Sequence, residues 1–568
     1  MPDERAPRIG VVIGGSLTRG VEARVSSGNS PILGQYVTAP LDGGKALVGM
    51  VTDIMLQAGE PASVAWPPPA GDRPSARLLR EVLADTAVYT AAQITPYLEL
   101  EEGILDPARA RSLPRHFAPV HLADQEIVDA AFTTGGDAVH VGSPLGMPRV
   151  EVCVDMERLF ERSAAVFGKS GTGKTVLTLQ ILDALLARSK NAPTQSERTV
   201  ALVFDMHNDY GRNLKFGGGY RRSLRDSHPT DVTVYSLESQ APGQDGSVEI
   251  GTRDIQPEDL AVLQTAGHFT LAALEAAHEF HERYGRDWVD ELLARDPSEA
   301  LIAGAWSGAQ VPDQVNWSTV AGRLGVHSSS LDNLRRGLRH FERRKVVRSG
   351  SSQFEGGLEH IVKTLQGGKS VVVQFGRFGS DLVTYMLVAN MLSRRIWDRY
   401  RIAVDRASEN DGQGPNRLVI VIEEAHKFVD RSLANFSIFG QIARELRKYS
   451  VTLLVIDQRP SQIDPEVLSQ IGTKFCFQLD SESDVEAMVG GAMGRTALRQ
   501  VISSLESQQQ SLVFGHAVPM PVVVRTVDFT GDRGAGAGLR PAGGQGGSLR
   551  ERLDYPAREP RTENPLFG

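Results

Sequence analysis

Eight consecutive residues, Gly168 to Thr175, read GKSGTGKT and fit the pattern GxxxxGK[ST]. Glycines in such a loop let successive backbone N–H groups turn inward. A helix opening behind them adds partial positive charge where phosphate oxygens would sit. Lys174 would then reach the β- and γ-phosphates of a nucleotide, and the Thr175 hydroxyl would hold Mg²⁺. Gly168, Lys169, Ser170, Gly171, Thr172, Gly173 and Val176 complete the expected cradle. The apolar run AAVF precedes the loop and VLTLQIL follows it, which is the strand–loop–helix context the pattern requires. A Gly-rich turn that fits by chance is the alternative, and the context argues against it.

Hydrolysis needs an acid for the metal and a group that positions water. The stretch RLVIVIEEAHKF supplies Glu423 and Glu424 directly after the apolar residues Leu418 to Ile422. At the end of a buried strand, Glu423 would hold Mg²⁺ beside Thr175, and Glu424 would orient or deprotonate the attacking water. An acidic pair starting an exposed helix is the competing arrangement. A second strand, VTLLVID, ends in Asp457-Gln458-Arg459-Pro460, and Gln458 is placed to sense the γ-phosphate. The run VFDMHNDYG carries Asp205, His207 and Asp209 at spacing i, i+2, i+4. From spacing alone, a hydrogen-bonded turn is at least as good a reading as a metal site.

These groups need a scaffold. From Ala164 onward, β-branched runs such as TVALVFD, SVVVQF, RLVIVI, VTLLVID and KFCFQL alternate with helical stretches, as in a mostly parallel sheet covered on both faces. Between about 255 and 365 the strands give way to helical spacing, a helical insertion, with Asp254 placed to cap its first helix and Pro257 in that helix's first turn. Residues 8 to 100 read as short strands broken by Gly and Pro, which favours a small barrel. The fold class is therefore α/β: a RecA-like P-loop core with a helical insertion, a β-barrel before it and a Gly-, Pro- and Arg-rich tail after it. Expected boundaries are 1–115 for the barrel, 116–160 for a connector, 161–254 and 366–530 for the core, 255–365 for the insertion and 531–568 for the tail.

Bulk properties set outer limits. The 568 residues carry a formal charge of -8, so overall charge offers nucleic acid no attraction, and any DNA contact needs a local basic surface. The two cysteines, Cys153 and Cys476, lie far apart without metal-like spacing. A reduced, cytoplasmic protein without a membrane span is expected.

The motifs GKSGTGKT, DMHNDYG, IEEAHKF and IARELRKYSVTLLVIDQRPSQIDPEVLSQIGT, in that order, resemble the HerA-type hexameric DNA translocases of the HerA/FtsK group of P-loop ATPases. The N-terminal segment, with GQYVTAP before ALVGMVTDI, is similar to the HAS barrel of that family. The resemblance covers most of residues 8 to 530. It implies ATP and Mg²⁺ as cofactors, a homo-hexamer that moves double-stranded DNA, and a NurA-type nuclease partner in end resection and recombinational repair. A nucleoid-associated location goes with that role. It also implies an arginine reaching the γ-phosphate of a neighbouring subunit, for which Arg444 and Arg447 are the candidates, and a nucleotide-contacting arginine, for which Arg162 is the candidate, a surface salt bridge being its alternative. The family usually has Asp-Glu where this chain has Glu423-Glu424, and the longer side chain requires an adjusted metal geometry.

Other functions remain open from the sequence. An ATP-switched clamp that recruits a nuclease with little turnover is one alternative, and a pump of conjugation or phage packaging is another. Phosphate-gripping loops are expected at FGRFGS (375–380) or VGGAMGRTALR (489–499), each also readable as an ordinary connection; LRRGLRHFERRK (334–345) reads as an exposed helix face or an interface. The strand-forming run MPVVVRTVDFTG is placed to bring residues 525 to 531 near the nucleotide.

Overall fold

A computed structural model describes residues 7–58, 88–101, 108–132, 137–216, 219–238, 241, 243–264, 266–294, 297, 316–349, 358–409, 414–432, 437–445, 448–492, 494–506, 509–526 and 539–540. The N-terminal strands are β1 (Arg8–Ser16), β2 (Gly20–Val25), β3 (Tyr36–Pro40), β4 (Lys45–Ala58), β5 (Val88–Glu101) and β6 (Pro119–Leu122). They pair antiparallel in the order β2-β1-β6-β3-β4-β5, and β5 returns to β2, so the sheet closes into a six-stranded barrel. Alternate residues point inward, and Val12, Val21, Ala23, Val37, Leu47, Val51, Ile94 and Val120 fill the interior. Register shifts at Val12/Gly14, Val48/Gly49 and Val51/Asp53 bend the long strands around this small radius.

The closing strand corrects the expected boundary at 115. Only four residues long, β6 is too short to show a period, yet it fills the gap between β1 and β3 that would otherwise leave two open edges. The expected connector is also structured: β7 (Ala138–Pro144) joins the far edge of the main sheet, and β8 (Val152–Asp155) pairs with β7.

The main sheet contains β9 (Ala164–Phe167), β10 (Thr199–Asp205), β11 (Val232–Ser236), β12 (Ser370–Gln374), β13 (Arg417–Glu423), β14 (Val451–Asp457) and β15 (Thr473–Phe477). They lie parallel in the order β11-β12-β10-β13-β14-β9-β15. Buried on both faces, β9, β10, β12, β14 and β15 expose none of their residues, which is why they read as continuous apolar runs. Two antiparallel strands, β16 (Gln510–Gly515) and β17 (Val522–Arg525), extend the sheet to β7. One consequence decides the site: β10, β13, β14 and β9 are neighbours, so their carboxyl ends line up about 4.8 Å apart.

The insertion is helical, as expected, with its longest helices at Leu271–Tyr284 and Ser328–Arg343. Its first helix, Pro257–Ala261, has Pro257 in the first turn, but Gln256 is the capping residue and Asp259 accepts its backbone N–H at 2.8 Å. Asp254 instead accepts from Gly251 N–H, one turn earlier, so its expected capping role is corrected. Of the tail, only Leu539–Arg540 is described, paired with Val139 and Ala138 on β7; the remainder lies outside the described residues.

Candidate nucleotide site

The chain leaves β9 through the glycine loop and enters the helix Lys174–Lys190. Gly168, Gly171 and Gly173 take φ values of 154°, 80° and 109°, which a side chain would strain. At Gly168 a Cβ would also stand 2.5 Å from the Cβ of Phe477, so the loop can lie against β15 only with glycine there. Inside the loop, Lys174 Nζ donates to the carbonyls of Gly168 and Lys169 at 2.7 and 2.9 Å. The buried Thr172 hydroxyl donates to Lys169 O at 2.8 Å and braces the turn from behind. Lys169 turns its side chain out to Asp480 at 3.2 Å.

A cavity of ≈ 270 Å³ opens above the loop, lined by Ser170, Gly171, Gly173, Lys174, Thr175, Val176, His207, Asp209, Glu423, Glu424, Ile456, Asp457 and Gln458. The expected cradle, acidic pair and sensor therefore meet in one place, with Gly168, Lys169 and Thr172 forming the frame behind them. Strand order is the reason: Glu423 ends β13, Asp457 ends β14 opposite Phe167 in register, and Asp205 ends β10.

Each carboxylate has a different environment. Glu423 is deeply buried; burial first, then the charges of Asp205 and Asp209, push its pKa well above the ordinary carboxylate value. Its Oε1 accepts from the Tyr210 hydroxyl at 3.3 Å, while the buried Oε2 has no hydrogen-bond partner. An orphaned carboxylate oxygen on the wall of a cavity that Thr175 also lines fits a divalent cation. Among the described residues no group of three His, Cys, Asp or Glu side chains could hold a metal. Mg²⁺ is commonly held by one or two protein oxygens together with substrate phosphates and water.

Glu424 follows with φ of 50°, a left-handed conformation unusual for a side chain of this size. Its Oε1 accepts from Gln458 Nε2 at 3.0 Å, which joins the expected water-positioning group to the expected sensor. Asp457 accepts the backbone N–H groups of His426, Gln458 and Arg459. Burial raises its pKa, but these bonds and His426 outweigh it and hold the carboxyl below its ordinary value. Burial pulls Lys174 down, against the upward pull of Glu424, Asp457 and Glu423.

The DMHNDYG run forms a hydrogen-bonded turn at the edge of the cavity. Asp205 accepts backbone N–H groups from Asp209, Tyr210 and Gly211, folding the loop so that His207 and Asp209 face the cavity. Burial pushes Asp205 up to about 6 despite those bonds.

Several expected residues lie elsewhere. Arg162 is exposed and precedes β9, at the opposite end of that strand from the loop, about 20 Å from Gly168 along the chain. Arg444 is half-buried on the helix Ile438–Glu445 and does not line its own chain's cavity. Arg447 and residues 527–531 lie outside the described residues. Arg525 ends β17, three strands from β9, so it is not near the loop. The two connections expected to grip phosphate are held by hydrogen bonds and ion pairs. Gly376 N–H donates to Asn208, Arg377 N–H to Glu238, and Phe378 is buried. In the other, Arg495 and Arg499 pair with Glu486 and Glu482, while Gln500 reaches Asp53 of the barrel at 2.9 Å. The helix Ser328–Arg343 buries Arg335 over Trp317 and leaves Arg336 exposed.

Sequence reasoning gave no role to His426 or Tyr210. Neither carries a spacing signal, because His426 meets Asp457 across 31 residues and Tyr210 meets Glu423 across 213.

The chain is similar to known proteins along most of its length. The family model for the central domain of helicase HerA matches residues 139–396, and that for the HAS barrel domain matches residues 9–62. The DNA double-strand break repair helicase HerA of Pyrococcus furiosus is 23% identical over 466 residues, covering 76% of this chain and 77% of that protein. HerA of Saccharolobus solfataricus is 23% identical over 529 residues, covering 92% and 93%. Among solved structures, the plasmid coupling protein TrwB with a non-hydrolysable GTP analogue aligns at a TM-score of 0.44 and 14% identity, covering 73% of this chain and 95% of that one. Both the barrel and the core are thus similar to those of the HerA family of P-loop ATPases.

Proposed function

We propose that the protein hydrolyses ATP with Mg²⁺ to drive movement along double-stranded DNA in double-strand break repair, as a helicase or translocase. The observation that carries the reading is the meeting of Lys174, Thr175, Glu423, Glu424 and Gln458 around one cavity. Mg²⁺, when bound, neutralises charge on the phosphates; Thr175 and Glu423 would hold it. Lys174 draws the β- and γ-phosphates into the loop, Glu424 receives the proton of the attacking water, and Gln458 keeps the Glu424 carboxylate turned toward it. The likeness to double-strand break repair helicases along most of the chain supports the DNA substrate. The finer features belong to the same proposal: a homo-hexameric ring, an arginine from the neighbouring subunit (Arg444 or Arg447) and Arg162 at the subunit boundary. It also includes a NurA-type nuclease that takes up the DNA ends during resection. No described helix is long and apolar enough to cross a membrane.

The test is ATP turnover by the full chain, alone and with linear duplex DNA. Turnover should rise with DNA, fall steeply with salt because the grip is on phosphates, and disappear in Lys174→Ala and Glu424→Gln. Nucleotide binding without turnover in the unaltered chain would overturn the motor and leave an ATP-switched clamp.

A further inference from the structure

His426 stands directly behind the acidic pair and so far has only its bond to Asp457. Its ring belongs to the short turn Ala425–Lys427 that follows the acidic pair, and it is buried. Nδ1 lies 2.9 and 3.1 Å from the two oxygens of Asp457, and its own backbone N–H donates to the same carboxylate at 2.7 Å. Asp457 is itself fixed by the N–H groups of Gln458 and Arg459. An ionised carboxylate can only accept, so the Nδ1 position carries the proton. The ring is thereby pinned at both ends, by its backbone and by its Nδ1–H. The same Nδ1 stands 3.6 Å from Oε2 of Glu424, a close packing contact beyond hydrogen-bond distance.

Glu424 needs such support. Its left-handed backbone costs energy and does not by itself select a side-chain direction. Its two oxygens are addressed from two sides, Oε1 by Gln458 and Oε2 by His426. Both supports converge on Asp457, which receives the N–H of Gln458 and the Nδ1–H of His426.

We propose that His426, anchored by Asp457, is a positioning residue that holds the Glu424 carboxylate in its working orientation. The proposal rests on the ATPase reading of Glu424. His426 does not line the nucleotide cavity; it fixes the group that does. A purely structural histidine would support the fold and the nucleotide cradle equally, whereas this one should affect only the chemical step.

The experiment is DNA-stimulated ATP turnover by the full chain, with ADP affinity and Tm measured in parallel. His426→Ala should lower kcat by about ten-fold or more while KM for ATP and ADP affinity stay within about two-fold. His426→Asn, whose amide can donate to Asp457 from the Nδ1 position, should recover a large part of that loss. A kcat of His426→Ala within about two-fold of the unaltered chain would overturn the proposal. So would a parallel loss of ADP affinity, or a His426→Asn no better than alanine at equal Tm. Glu424→Gln separates the levels: if it keeps full turnover, the ATPase assignment of Glu424 has failed, whatever His426 does.

Discussion

Lys474 shows how much a single side chain can cost this sheet. It lies in β15, next to the strand that feeds the glycine loop, and is 6% exposed. Its ammonium donates to Met488 O at 3.2 Å. Burial pulls its pKa down to about 8, with the neighbouring Cys476 opposing weakly. Below that value both folded and unfolded chains carry the proton, and the folded state bears the whole desolvation penalty. Between about 8 and the unfolded value near 10.4 the unfolded chain binds more protons, so stability rises with pH. Lys474→Met should therefore raise stability at pH 7 by roughly 1–3 kcal/mol, and the gain should fade as pH passes through that window. Denaturant midpoints of both proteins at pH 7 and pH 10 check it; a gain that is constant with pH would show that packing, not charge, sets the difference. The same scale explains which site residues could be read in advance. Lys174, Thr175, Glu423, Glu424 and Gln458 are all adjacent to an apolar run or a glycine pattern, so one-dimensional spacing reports them. Asp457 was visible only as a strand end, and His426 not at all, because its partner is chosen by strand order.

Among elements, a buried ion pair helps to hold the junction between the insertion and the core. Arg394, on the long helix Leu382–Glu409, grips both oxygens of Asp259 at 2.8 Å, and Asp259 has no exposed surface. Burial raises the pKa of Asp259 although Arg394 lowers it, so the geometry is close to the limit of what the pair can offset. Asp259→Ala should cost about 3–5 kcal/mol, since it leaves a buried guanidinium uncompensated. Replacing both partners, as Asp259→Leu with Arg394→Met, should recover most of that loss. Thermal unfolding of the three variants decides the matter, and an additive double variant would contradict it. Element identity was largely readable, because strands buried on both faces give unbroken β-branched runs and the insertion gives a helical period. What could not be read was pairing. The four residues of β6 close the barrel, and β7 and β8 join the main sheet from a stretch that looks like linker, since neither their length nor their composition reveals their neighbours.

At the scale of the whole molecule, the barrel and the core are joined directly. Tyr36 on β3 donates its hydroxyl to Pro521 O at 2.6 Å, and Gln500 reaches Asp53. The nucleotide cavity, by contrast, is built wholly from the core, and Lys174 is the only described arginine or lysine that lines it. Developing negative charge on a transferring phosphoryl group calls for a further cation, and in a ring that cation can come from the next subunit. Arg444, described on a helix of the core but not lining its own cavity, is the testable donor. Arg444→Ala should lose turnover by about a thousand-fold while keeping nucleotide affinity, and Lys174→Ala should lose it through the cradle. Mixing the two inactive chains separates cis from trans action. Where an Arg444→Ala subunit, with its intact loop, meets a Lys174→Ala neighbour, with its intact arginine, one complete site forms. Random mixing at equal amounts makes that combination about a quarter of all sites, so turnover should return to about that share of the unaltered ring. Activity that stays at the level of the separate variants, with mixed rings confirmed by native mass, would place the needed arginine elsewhere or in cis.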